Sequence, residues 1–388
     1  MKMAQMNVLD SPRLRIVGYR RIRDMEIALR PLTVLIGANG VGKTSFLEVM
    51  SLLAESAKSN LKEYILALHG INSLVTYDAP PRLTLEIAKS FGKSAPLEYT
   101  LILVPTAQSY SIEAETLTQE RGQTSPFIFI NSRFGAIKYF ERKDAKLLRP
   151  TWEHDPLETS LAQVPKMFEE PESFRRFLSS STIYHVLDVS PRAPVRLPQQ
   201  MRPSSHPGNN GENLTSYLYY LREARRNIYE SIEDTLRAAL PGFVQLDFPP
   251  VAAGTLTFTL KDRSFTHPLY PHQLSEGTLR FLWLVALLHS PELPAITLLD
   301  EPEVSLHPEL LMVLSSLFRE ASHRTQLIVA THADSMVRFL VPEELAVMDL
   351  DETGGTKVTW ADSFDVEEWM KEYSLDELWR MGRIGGGP

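Results

Sequence analysis

The chain has 388 residues, 43% hydrophobic and 23% charged, a globular composition that excludes wholesale disorder. Forty basic against 48 acidic side chains give a net charge of −8, which excludes indiscriminate attraction to nucleic acid and leaves only a local basic patch open. There are no cysteines, so disulfides, thiolate nucleophiles and cysteine metal sites are excluded too, as fits a reducing compartment. The longest strongly apolar run, Phe281 to Leu288, is far short of the roughly 20 residues that cross a bilayer. Met1–Asp10 has no apolar core of a secretory signal. The expectation is a soluble, cytoplasmic protein.

In chain order, Leu14–Tyr19 and Met25–Leu29 carry strand-type patterning, and Leu32–Ile36 is a short apolar run ending at Gly37. A helix is expected from about Gly42 to Ala57, where Phe46, Leu47, Met50 and Leu53 recur at helical spacing. Tyr110, Ile112 and Ala114 alternate with Ser111, Glu113 and Glu115, and Leu256, Phe258 and Leu260 alternate with threonines. Both read as half-buried antiparallel strands. Pro171–Leu178 and Asn213–Leu240 read as helical, the first with its proline in the permitted first turn. Then come helix (Glu276–Leu288), strand (Ala295–Asp300), helix (Pro308–Ala321) and strand (Gln326–Ala330), the alternation of a buried parallel sheet. Between Ser190 and Gly211 lie five prolines, three arginines (Arg192, Arg196, Arg202) and no acid. That stretch reads as a stiff surface loop or as a basic contact for DNA, RNA or an acidic partner. No internal repeat or sustained heptad pattern is present.

Gly37-Ala38-Asn39-Gly40-Val41-Gly42-Lys43-Thr44, followed by Ser45, fits G-x-x-x-x-G-K-[ST] between an apolar strand and a helix. Its glycines let the backbone curl into a nest of N–H groups for phosphate oxygens, beside the positive end of the next helix. Lys43 is expected to reach the β- and γ-phosphates and the Thr44 hydroxyl to ligate Mg²⁺. The strand Ile296–Asp300 delivers Asp300 as a metal acid and Glu301 as general base for the attacking water. Leu274-Ser275-Glu276-Gly277-Thr278 precedes a helix, so Ser275 and Gly277 offer a second phosphate-binding surface. After Gln326–Ala330 comes Thr331-His332, and His332 can reach the γ-phosphate and the water.

In this order, the P-loop, Leu274–Thr278, Leu298-Leu299-Asp300-Glu301-Pro302 and Ala330-Thr331-His332 resemble the ABC ATPase heads of the SMC and RecF group. Leu274–Thr278 is similar to their signature of L-S-G-G-Q type, and Gly18-Tyr19-Arg20-Arg21-Ile22-Arg23-Asp24 resembles their short N-terminal motif. In its tail, Tyr373-Ser374-Leu375-Asp376-Glu377-Leu378-Trp379, closing on Ile384-Gly385-Gly386-Gly387-Pro388, the chain resembles stand-alone bacterial RecF-like ATPases. Glu303-Val304-Ser305-Leu306-His307-Pro308 is similar to the E-x-x-L-H-P of that set. The resemblance covers essentially the whole chain, the middle being least diagnostic. Glu276 stands where transporter heads carry glycine, and no glutamine falls between Ser59 and Asp78, where a transporter-style coupling loop would lie. The missing heptads set the chain apart from long-armed SMC proteins. The stretch after His332 is too short for a Toprim nuclease, so a nuclease would have to come from another chain.

The fold expected is α/β, a P-loop NTPase of ABC-ATPase head type: a core parallel sheet, an antiparallel β layer and a helical lobe. Residues 1–150 would form the N-terminal half of the ATPase lobe, 151–275 the helical signature lobe, and 276–388 the C-terminal half. The resemblance implies an ATP- and Mg²⁺-dependent ATPase closing as a head-to-head homodimer. Each nucleotide would lie between one chain's P-loop and the other's Ser275–Gly277 surface. Hydrolysis would drive a clamp-like change on DNA or a partner protein, in DNA maintenance or antiphage defence. The second reading is a low-turnover, ATP-gated sensor or scaffold for a separate effector such as a nuclease or toxin. A transporter motor is disfavoured, and no membrane partner is expected.

Overall fold

The computed structural model describes residues 11–77, 81–92, 94–122, 125–141, 146–166, 169–364, 369–371 and 373–385. Met1–Asp10 and the closing Gly386-Gly387-Pro388 lie outside them. Six strands form the core sheet, in the order Thr182–Tyr184, Ile296–Asp300, Gln326–Ala330, Leu32–Ile36, Leu345–Leu350 and Thr356–Trp360. The first five are parallel and the last pairs antiparallel. Covered on both faces, such a sheet takes unbroken apolar runs, and every residue of Leu32–Ile36 is buried. This order sets the ends of the acidic strand, the Thr331–His332 strand and the P-loop strand side by side. Ligands bind outside the carboxyl ends of strands in open α/β sheets.

The two faces of the core sheet feed two clusters. Leu35, Leu298 and Ile328 face the helix Lys43–Ser56, which also packs on Leu14 and Ile16 of an eight-stranded antiparallel sheet. Lying between two sheets, this helix buries eleven of its fourteen residues. Val34, Leu299 and Val329 point the other way, onto helices Glu276–Leu288, Pro308–Ser322, Leu214–Ala224 and Arg226–Ala239.

Local structure departs from the sequence reading in three places. Asn213–Leu240 is two helices, broken at Arg225 (φ −138°, ψ 54°). The alternation at Leu256–Leu260 is split: Thr255–Leu256 and Thr259–Asp262 belong to different sheets, and Thr257 and Thr259 are buried as well. In Tyr110–Gln119, Ile102 pairs with Ala114 but Leu103 pairs with Ile112, so Glu113 is an extra residue that inverts the faces beyond it. Glu115, expected outside, is fully buried. Its carboxylate accepts the N–H groups of Ser160 and Leu161 (2.5 and 2.8 Å), at the start of helix Ser160–Gln163, and the Tyr99 hydroxyl (3.0 Å). Burial raises its pKa against these hydrogen bonds. Among the described residues no helix is long and apolar enough to cross a membrane.

Candidate functional site

The P-loop leaves its buried strand at Gly37, where φ is 150° and an added Cβ would stand 2.2 Å from the Met348 carbonyl oxygen. At Gly42 (φ 113°) a Cβ would meet Thr356 Oγ1 at 2.9 Å, and that hydroxyl donates to the Val41 carbonyl at 2.8 Å. Both positions require glycine. Gly40 (φ 79°) has nothing within 4 Å of its would-be Cβ, so the cradle is open on that side. Helix Lys43–Ser56 starts with no side-chain cap and no acid in its first turn, which leaves its N-terminal N–H groups to an anion. Lys43 is 4% exposed and its Nζ donates to the carbonyls of Gly37 (2.5 Å) and Ala38 (2.9 Å). Burial pushes its pKa down to about 8, while Glu301, Asp300 and Glu303 pull it up. The loop opens on a cleft of about 380 Å³ lined by Asn39, Gly40, Gly42, Lys43, Thr44 and Ser45 together with Arg20, Arg21 and His332.

Asp300 closes its strand with Oδ2 3.3 Å from His185 Nδ1, and this contact raises the His185 pKa. The next residue, Glu301, turns away at φ 50° while its N–H donates to the Ala330 carbonyl at 2.9 Å. Its Oε1 lies 3.2 Å from His332 Nε2. The His332 pKa is lowered by burial first and by Lys43 second, against Glu301 and Asp300. The electrostatic reach of Lys43 to Asp300 and Glu301, and of His332 to all three, puts these groups in one array.

Ser275 caps helix Glu276–Leu288, its Oγ accepting the Thr278 N–H at 3.1 Å. A Cβ on Gly277 would stand 2.4 Å from the Ser305 carbonyl oxygen. Ser275 and Gly277 line a second cleft, of about 510 Å³, with Leu240, Pro241, Ser305 and His307. The two clefts share no lining residue.

Two features were given no place in the site by sequence reasoning, although Arg20 and Arg21 stood in the Gly18–Asp24 motif. Arg20 and Arg21 line the first cleft, with Arg20 at φ 47° and its Nη1 2.7 Å from Glu48 Oε2, which also accepts the Tyr19 hydroxyl at 2.8 Å. Their signal was the adjacent pair of arginines between two strands just ahead of the P-loop. His185 gave none, because its place depends on a three-residue strand pairing Tyr184 with Leu299. Of the two readings of the Ser190–Gly211 stretch, half-buried Arg196 supports the structural one. Its guanidinium donates to the carbonyls of Val189 (2.6 Å), Pro271 (2.7 Å) and Leu274 (3.2 Å), tying the proline-rich loop to the approach to Ser275.

The residues fit a magnesium nucleotide. Among the described residues there is no group of three or more His, Cys, Asp or Glu that could hold a metal ion by itself, and Mg²⁺ ordinarily takes one or two protein oxygens plus phosphates. Thr44 is exposed at the cleft and Asp300 half-buried at a strand end.

No curated protein matches the chain. Among solved structures, it is similar to an SMC head bound to the C-winged helix domain of ScpA, with TM-score 0.51 and 15% identity over 89% of this chain and 96% of that one. It is also similar to an Smc head domain with an extended coiled coil bound to the C-terminal domain of ScpA derived from Pyrococcus furiosus, with TM-score 0.52 and 12% identity over 93% and 98%. At these identities the likeness is one of fold, the α/β P-loop NTPase of ABC-ATPase head type. The family model described as "AAA domain, putative AbiEii toxin, Type IV TA system" matches residues 32–337, from the P-loop strand to beyond His332. The chain belongs to this family of AAA ATPase domains and has the fold of an SMC head.

Proposed function

We propose that the protein is a Mg²⁺-dependent ATP hydrolase that closes head to head with a second copy on ATP and passes the resulting clamp-like change to DNA or a partner protein. The observation that carries hydrolysis is the 3.2 Å contact between Glu301 Oε1 and His332 Nε2 beside the P-loop. Lys43 exchanges its carbonyl contacts for the β- and γ-phosphates, and the loop N–H groups hold the rest of the anion. The Thr44 hydroxyl and Asp300 would hold Mg²⁺, which would supply charge neutralisation on the phosphates. Glu301 takes the proton of the attacking water, and His332 orients it against the γ-phosphate. Two separate clefts on one chain support the dimer: Ser275, at the end of the lobe of residues 151–275, and Gly277 just beyond it would serve the nucleotide held by the other copy. The SMC heads it is similar to are bound to ScpA domains, which supports a protein partner here as well.

A second reading is a low-turnover, ATP-gated subunit that controls a separate effector such as a nuclease or toxin; the toxin–antitoxin wording of the family description favours it. Turnover by the wild type and by Glu301→Gln separates the two. The hydrolase reading requires turnover that the variant loses while still binding ATP.

A further inference from the structure

Glu303 begins the run Glu303–Pro308, to which the proposed reaction gives no task. The turn is firmly shaped: Glu301 and Ser305 sit at φ 50° and 63°, Val304 N–H donates to the Glu301 carbonyl, and Leu306 N–H to the Glu303 carbonyl. Its side chain does not run out to solvent, as a loop glutamate ordinarily would. Oε1 accepts the Thr331 hydroxyl at 2.5 Å and the His332 N–H at 3.3 Å. Thr331 Oγ1 in turn accepts the Ala333 N–H at 3.0 Å. Oε2 is buried without a partner among the described residues. A buried unpaired polar atom is costly, so this placement is kept against a penalty. Burial raises the Glu303 pKa, with Glu301 nearby adding to it, against the hydrogen bonds from Thr331 and the His332 N–H.

We propose that Glu303 is a positioning residue: by tying Thr331 and the His332 backbone to the acidic turn, it fixes the His332 ring against Glu301. The inference rests on the hydrolase reading and refines the same site. The acidic turn is tied to the neighbouring strand end at three points. Glu301 N–H meets the Ala330 carbonyl, the Glu303 carboxyl group meets Thr331 and the His332 N–H, and the Glu301 carboxylate meets the His332 ring. Without the middle tie, the His332 backbone loses its anchor and the ring contact loses its register. Position alone needs an acceptor at Oε1, which a glutamine supplies; carrying a proton would need the acid itself.

The test compares Glu303→Gln, Glu303→Ala and Thr331→Val in the full chain by ATP turnover, ATP affinity and the ring resonances of His332 in nucleotide-free, histidine-labelled protein, assigned with His332→Gln. Glu303→Ala is expected to lower kcat about tenfold or more with ATP affinity changed by less than about twofold, the pattern of a contact that matters in the transition state. It should also shift the His332 resonances. Glu303→Gln should keep both resonances and kcat, the latter within about threefold, and Thr331→Val should fall between. A Glu303→Gln enzyme as impaired as Glu303→Ala overturns positioning in favour of proton transfer. Unmoved His332 resonances in Glu303→Ala overturn it too. If the alanine variant fails to fold, Thr331→Val decides by the same two readouts. If the wild type does not hydrolyse ATP, the hydrolase reading fails, and the resonances still judge the tie between Glu303 and His332.

Discussion

Glu301 Oε1 and His332 Nε2 stand 3.2 Å apart at the ends of neighbouring parallel strands whose last pair is Asp300 and Ala330. A carboxylate held by an imidazole beside the P-loop suits a base that must stay aimed. Replacing Glu301 by Gln keeps the size and the contact but removes the proton acceptor. ATP binding should persist, and kcat should fall by about 10²- to 10⁴-fold, the usual contribution of a general base. Single-turnover assays check this; turnover at the wild-type rate would remove Glu301 from that role.

Lys43 predicts a pH dependence. Burial holds its pKa near about 8, below the ordinary 10.5 of lysine. Between those values the unfolded chain binds the proton and the nucleotide-free fold does not, so stability rises with pH across that window. Phosphate needs the charged amine, so ATP affinity should fall as pH climbs through about 8, approaching tenfold per pH unit. Calorimetric titration from pH 7 to 9.5 measures it, and a flat profile would contradict the role of Lys43. Lys43→Ala should abolish ATP binding at every pH.

Arg196 predicts a change in stability rather than in DNA affinity. Removing its guanidinium leaves the Pro271 and Leu274 carbonyls without that donor, at a cost of about 1–3 kcal/mol. Arg192 and Arg202 are exposed, and their replacement should leave the urea midpoint in place. If the protein binds DNA through this loop, losing those two should lower the salt slope by at most about 2 units. An unchanged midpoint in Arg196→Gln would refute the structural role.

What the sequence disclosed, and what it did not, follows from locality. The P-loop strand, its glycines and Lys43 are contiguous, so pattern alone placed them, and the collisions awaiting a Cβ at Gly37 and Gly42 give the reason for those glycines. Asp300 and Glu301 were legible because an apolar run of strand length ends at them. Glu115 was misplaced because one extra residue, Glu113, reverses the alternation, and nothing in the local sequence marks the register of its partner strand. The role of Arg196 stayed open because two of its three acceptors are carbonyls some 75 residues away or more, and backbone acceptors leave no trace in residue identity. His185 stayed hidden for the same reason of distance.

The central claim is that Ser275 and Gly277 complete a second copy's nucleotide site, and Ser275→Arg tests it most directly. Ser275 lines a cleft that shares no residue with the P-loop cleft, so ATP affinity of the single chain should be unchanged. A bulky cation in place of a small capping hydroxyl should stop the opposing surface from fitting. Sedimentation with ATP, alongside turnover, is the measurement. The account predicts a wild type that dimerises and hydrolyses, and a Ser275→Arg variant that binds ATP, stays monomeric and does not turn over. A variant that still dimerises on ATP and hydrolyses it at the wild-type rate would contradict the shared site.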